Sequence, residues 1–539
     1  MRGYSMRLAG RRGVLAAFAL AAAVAVFFAP ASHGAVRFAI VSDFGSSLPG
    51  NPSAAVVAEI AERVKAWDPD FIVTAGDNND DRGDLFDVNV GQHFHEYIGN
   101  YQGIYGAGSP TNRFFPALGN HDDWAGLSAY RAFFTLPGNE RYYEFAAGAA
   151  RFFVVNSNSS EPDGNTGTSA QAAWLEDALA ASTAPWNFVV LHHAPYTSST
   201  RYYGGIAASR WDYGPWGADA VFAGHAHVCE RIVRSDTTYF VTGVCGAPTA
   251  GFGTPVTGSE FRYGNDHAFM VVDVEGTAAT FRYVNLAGQV VDTYTQPVAP
   301  NEWAAAAGGS YNTPDNWTRG RTPSAPDAVA LLAGDLTGPL TVDAPVTLGA
   351  LYLQSPGGSL ITGPAGIRFE TTGPSAMLTA QGGSHQIDAP VELAADILIS
   401  VLAETVTLSA ALDNSAGRLL TKAGPGTLVI QGDQSYAPGS VLNILEGTVN
   451  LKSDAGLGGA NLAVFVADAV LNLGSNQRLD TLAIGEGGKV VVAGAYTIAM
   501  KHLVMGGVDL GAATLTPEPA TLALLAVGLG SLLVRRPRA

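Results

Sequence analysis

The sequence predicts an α/β fold over residues 36–300, followed by an all-β, solenoid-like region over residues 301–515. Three observations carry that prediction. Five short apolar, strand-like runs end in a carboxylate, amide or imidazole: residues 39–43, 71–77, 115–122, 188–193 and 221–227. Runs of this length and polarity read as buried strands, and open sheets collect ligands at their strand ends. Amphipathic stretches at helical spacing stand between some of these runs, which is the pattern of βαβ units with parallel strands. From Glu302 onward the composition shifts to short apolar runs separated by glycine, as expected for stacked short strands. A chain of 539 residues also exceeds what one core serves.

The elements follow in order. Residues 1–35 read as a signal peptide: Arg2, Arg7, Arg11 and Arg12 precede an apolar run and then small residues to Ala35. After the strand ending at Asp43, residues 53–67 carry Val56, Val57, Ile60, Ala61 and Val64 on one helical face, and Asp68-Pro69-Asp70 breaks that helix. The strand ending at Asp77 leads to a polar loop, then to a long connection over residues 87–113 holding His93 and His95, which read as packed loop histidines. Residues 170–181 form a second amphipathic helix before the strand ending at His192. Residues 240–244 and 269–274 read as further strands, and 280–284 with 290–295 as a closing hairpin.

Composition narrows the function classes. A formal net charge of −17 argues against nucleic acid or anionic lipid as a non-specific partner. Only 14% of residues are charged and 64 are glycine, which fits turn-rich extracellular β material. The two cysteines, Cys229 and Cys245, sit in an exported chain, where a disulfide and two free thiols are equally compatible with the sequence. No Gly-x-Ser-x-Gly elbow or phosphate-cradling Gly-Lys loop is present to support a serine hydrolase or an NTPase.

The polar residues at the five strand ends suit two metal ions, since neutral imidazole and carboxylate are the usual ligands for such ions. Their order is Ser42-Asp43, Gly76-Asp77, Gly119-Asn120-His121-Asp122, Val190-Leu191-His192 and Gly224-His225-Ala226-His227. As an ordered set this resembles the calcineurin-like metallophosphoesterase family. The resemblance implies a β-sandwich flanked by helices and a phosphoric ester hydrolase with two divalent or mixed-valence ions of iron, manganese or zinc. Position by position, it implies that Asp77 bridges the metals, that Asp43 and His227 complete the first ion's shell, and that Asn120, His192 and His225 hold the second. It implies that His121 contacts the phosphate and protonates the leaving oxygen, with Asp122 as its orienting partner, while His193 is structural. The expected chemistry is in-line attack of a metal-bound hydroxide on a small phosphate monoester. A phosphodiesterase of the same superfamily is the alternative.

Two details point within the family. Glycine at Gly45, where many members have histidine, and the run through Cys229-Glu230-Arg231 resemble the purple acid phosphatase branch. That branch has a tyrosine three residues after the bridging aspartate, where this chain has Asp80, a hard oxygen donor that reads as an additional ligand or a solvent-facing group.

The remainder reads as attachment. Residues 420–430, continuing through 447–451, resemble the autotransporter-associated β-strand repeat of a stacked β-helix. Residues 516–539 resemble a PEP-CTERM sorting signal: Pro517-Glu518-Pro519, a short apolar run expected as a transmembrane helix, and Arg535, Arg536 and Arg538. This implies an exosortase-type processing protease as partner and a secreted protein at the surface or in the extracellular polysaccharide matrix of a Gram-negative bacterium. A non-catalytic surface or matrix adhesion protein is the competing class.

Overall fold

The computed structural model describes residues 36–80, 83–125, 127–235, 237–242, 244–515, 522–528 and 531–535. The expected signal peptide and the Pro517-Glu518-Pro519 motif lie outside them. The described chain forms two compact units. One gathers the residues through Glu302 together with Thr313–Val329; the other gathers Trp303–Asn312 with the residues from Ala330 onward.

The first unit is a sandwich of two sheets. Its elements are β1 (Val36–Val41), α1 (Pro52–Ala66), β2 (Phe71–Thr74), β3 (Phe114–Pro116), α2 (Leu127–Phe133), β4 (Tyr143–Ala147), β5 (Ala150–Val154), α3 (Ala170–Ala180), β6 (Trp186–His193), β7 (Ala220–Gly224), β8 (Cys229–Arg234), β9 (Thr237–Thr242), β10 (Ser259–Tyr263), β11 (Ala268–Glu275), β12 (Ala278–Asn285) and β13 (Val290–Pro297). One sheet runs β13-β12-β11-β1-β2-β3 and the other β10-β8-β9-β7-β6-β5-β4. The strands β1, β2 and β3 are parallel, as are β5, β6, β7 and β9. Parallel strands carry their C-terminal ends to the same side, so the polar ends of the motifs emerge together.

Aromatic rings fill the space between the sheets. Phe38 of β1 meets Phe152 of β5 edge-on at 4.9 Å, and Phe281 of β12 stacks on Phe240 of β9 at 4.6 Å. Each sheet's outer face is covered by a helix. Pro52 opens α1 behind Asn51, whose side chain accepts from the Ser53 N–H, and Val57, Ile60, Ala61 and Val64 are buried. Ser169 caps α3, which buries Leu175 and Leu179 with Val189 and Val221. These are the helices the apolar spacing predicts. The stretch expected as an open connection, residues 87–113, instead winds through three short helical turns, and β4, β5, β8 and β10 are strands that the pattern of apolar runs did not single out.

Residues 313–329 follow the expected end of this half at 300 but belong to the first unit. There Arg319 pairs with Asp219 at 3.1 Å, and the buried Arg321 donates to the Ser182 carbonyl.

The second unit is a parallel β-solenoid with three faces. One face stacks Ala350–Leu353, Ala376–Ala380, Ile397–Val401, Leu419–Ala423, Val441–Ile444 and later strands; the second stacks Ser359–Thr362, His385–Ile387, Thr405–Leu408, Thr427–Ile430 and Gly447–Leu451; the third stacks Val346–Leu348, Ile367–Phe369, Val391–Leu393, Leu412–Asn414 and Gln434–Tyr436. Alternate residues point inward, so Leu378, Ile399, Ile444, Val466 and Ile484 stack one above another through the core. Lys422 occupies the same interior row between Ile399 and Ile444. Its ammonium donates to the carbonyls of Ala423, Gly424 and Glu446, which closes the Gly424-Pro425-Gly426 turn, and burial pulls its pKa down to about 8.

The apolar C-terminal run, expected as a transmembrane helix, is an antiparallel hairpin of Leu522–Gly528 and Ser531–Arg535 laid antiparallel on Lys489–Ala493. Among the described residues no helix is long and apolar enough to cross a membrane. The physical reason is local and tertiary at once. Glycine weakens a helix at 528, and the edge of the last solenoid strand offers backbone groups that an extended apolar segment pairs.

Candidate metal centre

The backbone at the strand ends is bent into a conformation that side chains other than glycine rarely adopt. Asp43, Asp77, His225 and His227 have φ of 50°, 52°, 68° and 54°. Aspartate and histidine tolerate this region better than most residues, and each position still costs about 1 kcal/mol. The return for that strain is direction: each bend turns a side chain out of the strand plane toward the gap between β1, β2, β6 and β7. The motif glycines leave room for it. A Cβ at Gly119 would lie 2.1 Å from the Asp77 amide nitrogen, one at Gly76 2.6 Å from the His192 ring, and one at Gly224 2.6 Å from the Asp43 carboxylate.

His192 is the most constrained donor. It is fully buried, and its Nδ1–H donates to the Ala75 carbonyl at 2.8 Å. A carbonyl only accepts, so in the neutral ring Nε2 carries a lone pair. That lone pair faces Asp77 Oδ2 at 3.2 Å, Asn120 Oδ1 at 3.2 Å and His225 Nδ1 at 3.1 Å. Ligand atoms of Asp77, His192 and His225 all lie within 4.8 Å of one another. Beside them, Asp43 accepts from the His225 N–H and the Ser42 hydroxyl, both at 2.9 Å. His227 donates its Nδ1–H to the Pro248 carbonyl at 2.7 Å, and its Nε2 stands 3.4 Å from Asp43 Oδ1.

Lone pairs converging in a buried space repel unless a positive charge lies among them, so the donor set fits bound cations. In the metal-free chain these groups shift one another's titration. Burial works against a charged His192, yet the Asp77 and Asp43 carboxylates raise its pKa to about 9. Burial and the neighbouring His192 and His193 push His225 down to about 2. Burial opposes the Asp43 charge, but His227, His192 and His225 hold that carboxyl well below the usual range.

His121 sits at the edge of this group. Its N–H donates to Asp77 Oδ1 at 2.9 Å, its Nε2 is 3.8 Å from Asp77 Oδ2, and its Nδ1 pairs with the Asp80 carboxylate. Burial lowers its pKa, but the hydrogen bond to Asp80 and the charge of Asp77 outweigh that and raise it. The partner of His121 is therefore Asp80, and not Asp122 as the adjacent position implies. Asp122 is wholly buried and accepts from Gly119 N at 2.7 Å, Asn78 Nδ2 at 2.8 Å and Asn79 N at 2.9 Å. It ties the loop after β2 to the loop after β3. Burial and the charge of Asp77 raise its pKa to about 7. The physical reason is the turn beginning at Asp122, which folds that carboxylate back onto the amide three residues earlier.

Three further histidines of the first unit have polar partners of their own. His193 meets Ser157 Oγ at 2.8 Å, His93 meets Ser47 Oγ at 3.0 Å, and His95 meets the Ala107 carbonyl at 2.8 Å. Cys229 and Cys245 are buried free thiols, and burial pushes both pKa values up, Cys245 to about 12. Sequence reasoning did not single out Ser42, which donates to Asp43, Asn78, which donates to Asp122, or Tyr202, whose ring centroid lies 3.9 Å from that of His225. Ser42 and Asn78 adjoin Asp43 and Asp77, so adjacency was their available signal; Tyr202 had none.

Residues 36–229 match the family described as calcineurin-like phosphoesterase. No curated protein matches the chain. Among solved structures, a purple acid phosphatase isolated from yellow lupin (Lupinus luteus) seeds is 19% identical with a TM-score of 0.41, over 49% of this chain and 54% of that one. This chain thus spans about half of the lupin chain's length. GAP50, the anchor in the inner membrane complex of Plasmodium, is 18% identical over 49% of this chain and 90% of its own, with a TM-score of 0.38. PhoD is 14% identical over 50% of this chain and 69% of its own, with a TM-score of 0.30.

Proposed function

From the premise that residues 36–229 form a calcineurin-like metallophosphoesterase domain, we propose that the protein is an exported two-metal hydrolase of small phosphate monoesters. The observation that carries this reading is the convergence of Asp77 Oδ2, Asn120 Oδ1 and His225 Nδ1 on His192 Nε2, with Asp43 and His227 as a second group alongside. Asp77 would be shared, Asp43 and His227 would hold one ion, and Asn120, His192 and His225 the other. Iron, manganese and zinc all suit this nitrogen and oxygen set. Two such cations would supply positive charge to phosphoryl oxygens and would make a bound water more acidic.

The chain's own residues supply the rest. His121 is held at two points, through its backbone by Asp77 and through Nδ1 by Asp80, which leaves Nε2 as the atom that presents a proton. Asp80 and Asp77 favour the protonated ring, the form a general acid needs before it gives its proton to a leaving alkoxide oxygen. Asp122 keeps the two loops that carry Asp77 and Asn120 in register.

The leader-like N-terminus and the sorting-signal resemblance support export, with an exosortase-type protease as processing partner and a polysaccharide matrix as the destination. The solenoid then serves as the attachment module. The test is elemental analysis of purified protein, followed by assay on phosphomonoester and phosphodiester panels with manganese, zinc or iron added. About two ions per chain and a preference for monoesters are expected. Absence of both metal and turnover overturns the reading, and faster diester cleavage replaces the substrate class. Protein recovered from the cytoplasm with its leader intact overturns export.

A further inference from the structure

Two of the three cluster histidines are aimed in the same way. His192 and His227 each donate the ring nitrogen remote from the cluster to a backbone carbonyl, at Ala75 and Pro248. Such a hydrogen bond fixes both tautomer and ring orientation. His225 lacks this device. It presents Nδ1 to the cluster, and among the described residues its Nε2 makes no hydrogen bond. What it has is Tyr202, whose ring lies on the imidazole with centroids 3.9 Å apart and planes within 19°. The rings of His193 and His192 stand around it at 4.4 and 4.8 Å.

The loop that carries Tyr202 is held firmly. The buried Glu230 carboxylate accepts from Thr197 Oγ1 at 2.9 Å, Ser198 N at 2.7 Å and Ser198 Oγ at 2.5 Å, which fixes the start of the loop carrying Tyr202. Ser199 Oγ then donates at 2.7 Å to the carbonyl of Ala226, the residue between His225 and His227. The Gly204 N–H returns to the Thr197 carbonyl at 2.9 Å and closes the loop. Loop and histidine turn therefore form one hydrogen-bonded piece, with Tyr202 facing His225 across it.

We infer that Tyr202 is the positioning residue of His225: its aromatic face does for that imidazole what a backbone carbonyl does for His192 and His227. The inference rests on the metal-centre reading above, and it concerns the ring face of Tyr202 and not its hydroxyl.

The test compares wild type with Tyr202→Phe, Tyr202→Ala and Tyr202→Gln by calorimetric titration of chelator-stripped full chain with zinc, and by the visible spectrum of the cobalt-loaded proteins. Circular dichroism checks that each is folded, and Tyr202→Gln replaces Tyr202→Ala if the latter is not. Loss of the stack is expected to weaken one zinc-binding step by about threefold to tenfold and to alter the cobalt bands, while Tyr202→Phe stays within about twofold of wild type. Unchanged zinc affinity in the folded Ala or Gln variant overturns the inference alone. So does an equal loss in Tyr202→Phe, which assigns the effect to the hydroxyl. A wild type that takes up no zinc overturns the inference together with the metal-centre reading.

Discussion

The two units differ in how far left-handed backbone reaches beyond glycine and in how buried polar groups are paired. In the solenoid, left-handed φ falls mainly on turn glycines such as Gly358, Gly382, Gly424, Gly439 and Gly447, where it carries no side-chain penalty. In the sandwich unit glycines such as Gly76, Gly148 and Gly276 take it as well, but it also falls on Asp43, Asp77, His225 and His227 at the strand ends. Buried polar groups differ likewise. Solenoid groups pair with neutral partners a rung away: Gln434 Nε2 donates to Ser453 Oγ at 2.8 Å, and Gln477 Nε2 to the Ser453 carbonyl at 2.7 Å. In the sandwich unit, buried ionisable groups face one another. A repeating architecture relaxes each rung separately, whereas the cluster at the strand ends keeps strained backbone and crowded ionisable groups that the surrounding sheets hold in place.

The sharpest break between the units is expected from the ligands. Asp77→Asn should weaken metal binding by more than about 100-fold, the upper range for residues that merely support ligands, and abolish turnover. His121→Ala should keep its metal and lose about 100-fold or more in kcat. Metal analysis beside kinetics checks both, and equal metal loss in the two variants refutes the division of roles.

The converse applies to the solenoid. Leu428 is fully buried and lies in register between Val406 and Val449 of neighbouring rungs. Leu428→Ala should cost about 2–5 kcal/mol of local stability and leave kcat unchanged, as read by denaturant melts and assay. A loss of kcat would show that the units are not functionally separate.

A smaller effect concerns acid. Burial, with Lys65 nearby, lowers the His93 pKa to about 4. The unfolded chain then binds a proton that the folded one refuses, so this contribution is complete above the unfolded value near 6.5 and is lost as pH falls toward 4. The loss is about 3 kcal/mol at most. His93→Gln, which retains a partner for Ser47, should flatten the fall in stability between those pH values. An unchanged slope would place the acid sensitivity elsewhere.

Much of this was legible before any coordinates. The sheet strands bearing Asp43, Asp77, Asn120, His192 and the histidine pair were readable because each is a short apolar run ending in one polar group. The helices α1 and α3 were readable from apolar spacing, and the solenoid from its glycine-punctuated strands. The support around the site was not, because it depends on pairs far apart in the chain. The carbonyl that orients His192 belongs to a residue 117 positions away, and the amide that holds Asp43 to His225 spans 182 positions. Strands such as β4 and β8 carry exposed or charged residues beside apolar ones, and their pairing partners alone declare them.

By itself, then, the sequence determined which chemical groups stand at the ends of which strands, since side-chain type and local periodicity are properties of the chain. Only the tertiary structure decided how those groups meet. It gave His121 to Asp80 and turned Asp122 inward onto Gly119 and Asn78. It laid Tyr202 on His225 and returned residues 313–329 to the first unit. It also drew an apolar C-terminal run into a strand hairpin on Lys489–Ala493. Each outcome turned on a partner supplied from a distance. A buried carboxylate takes the nearest free amide, a ring takes the nearest flat face, and an open strand edge takes the segment that completes its hydrogen bonds.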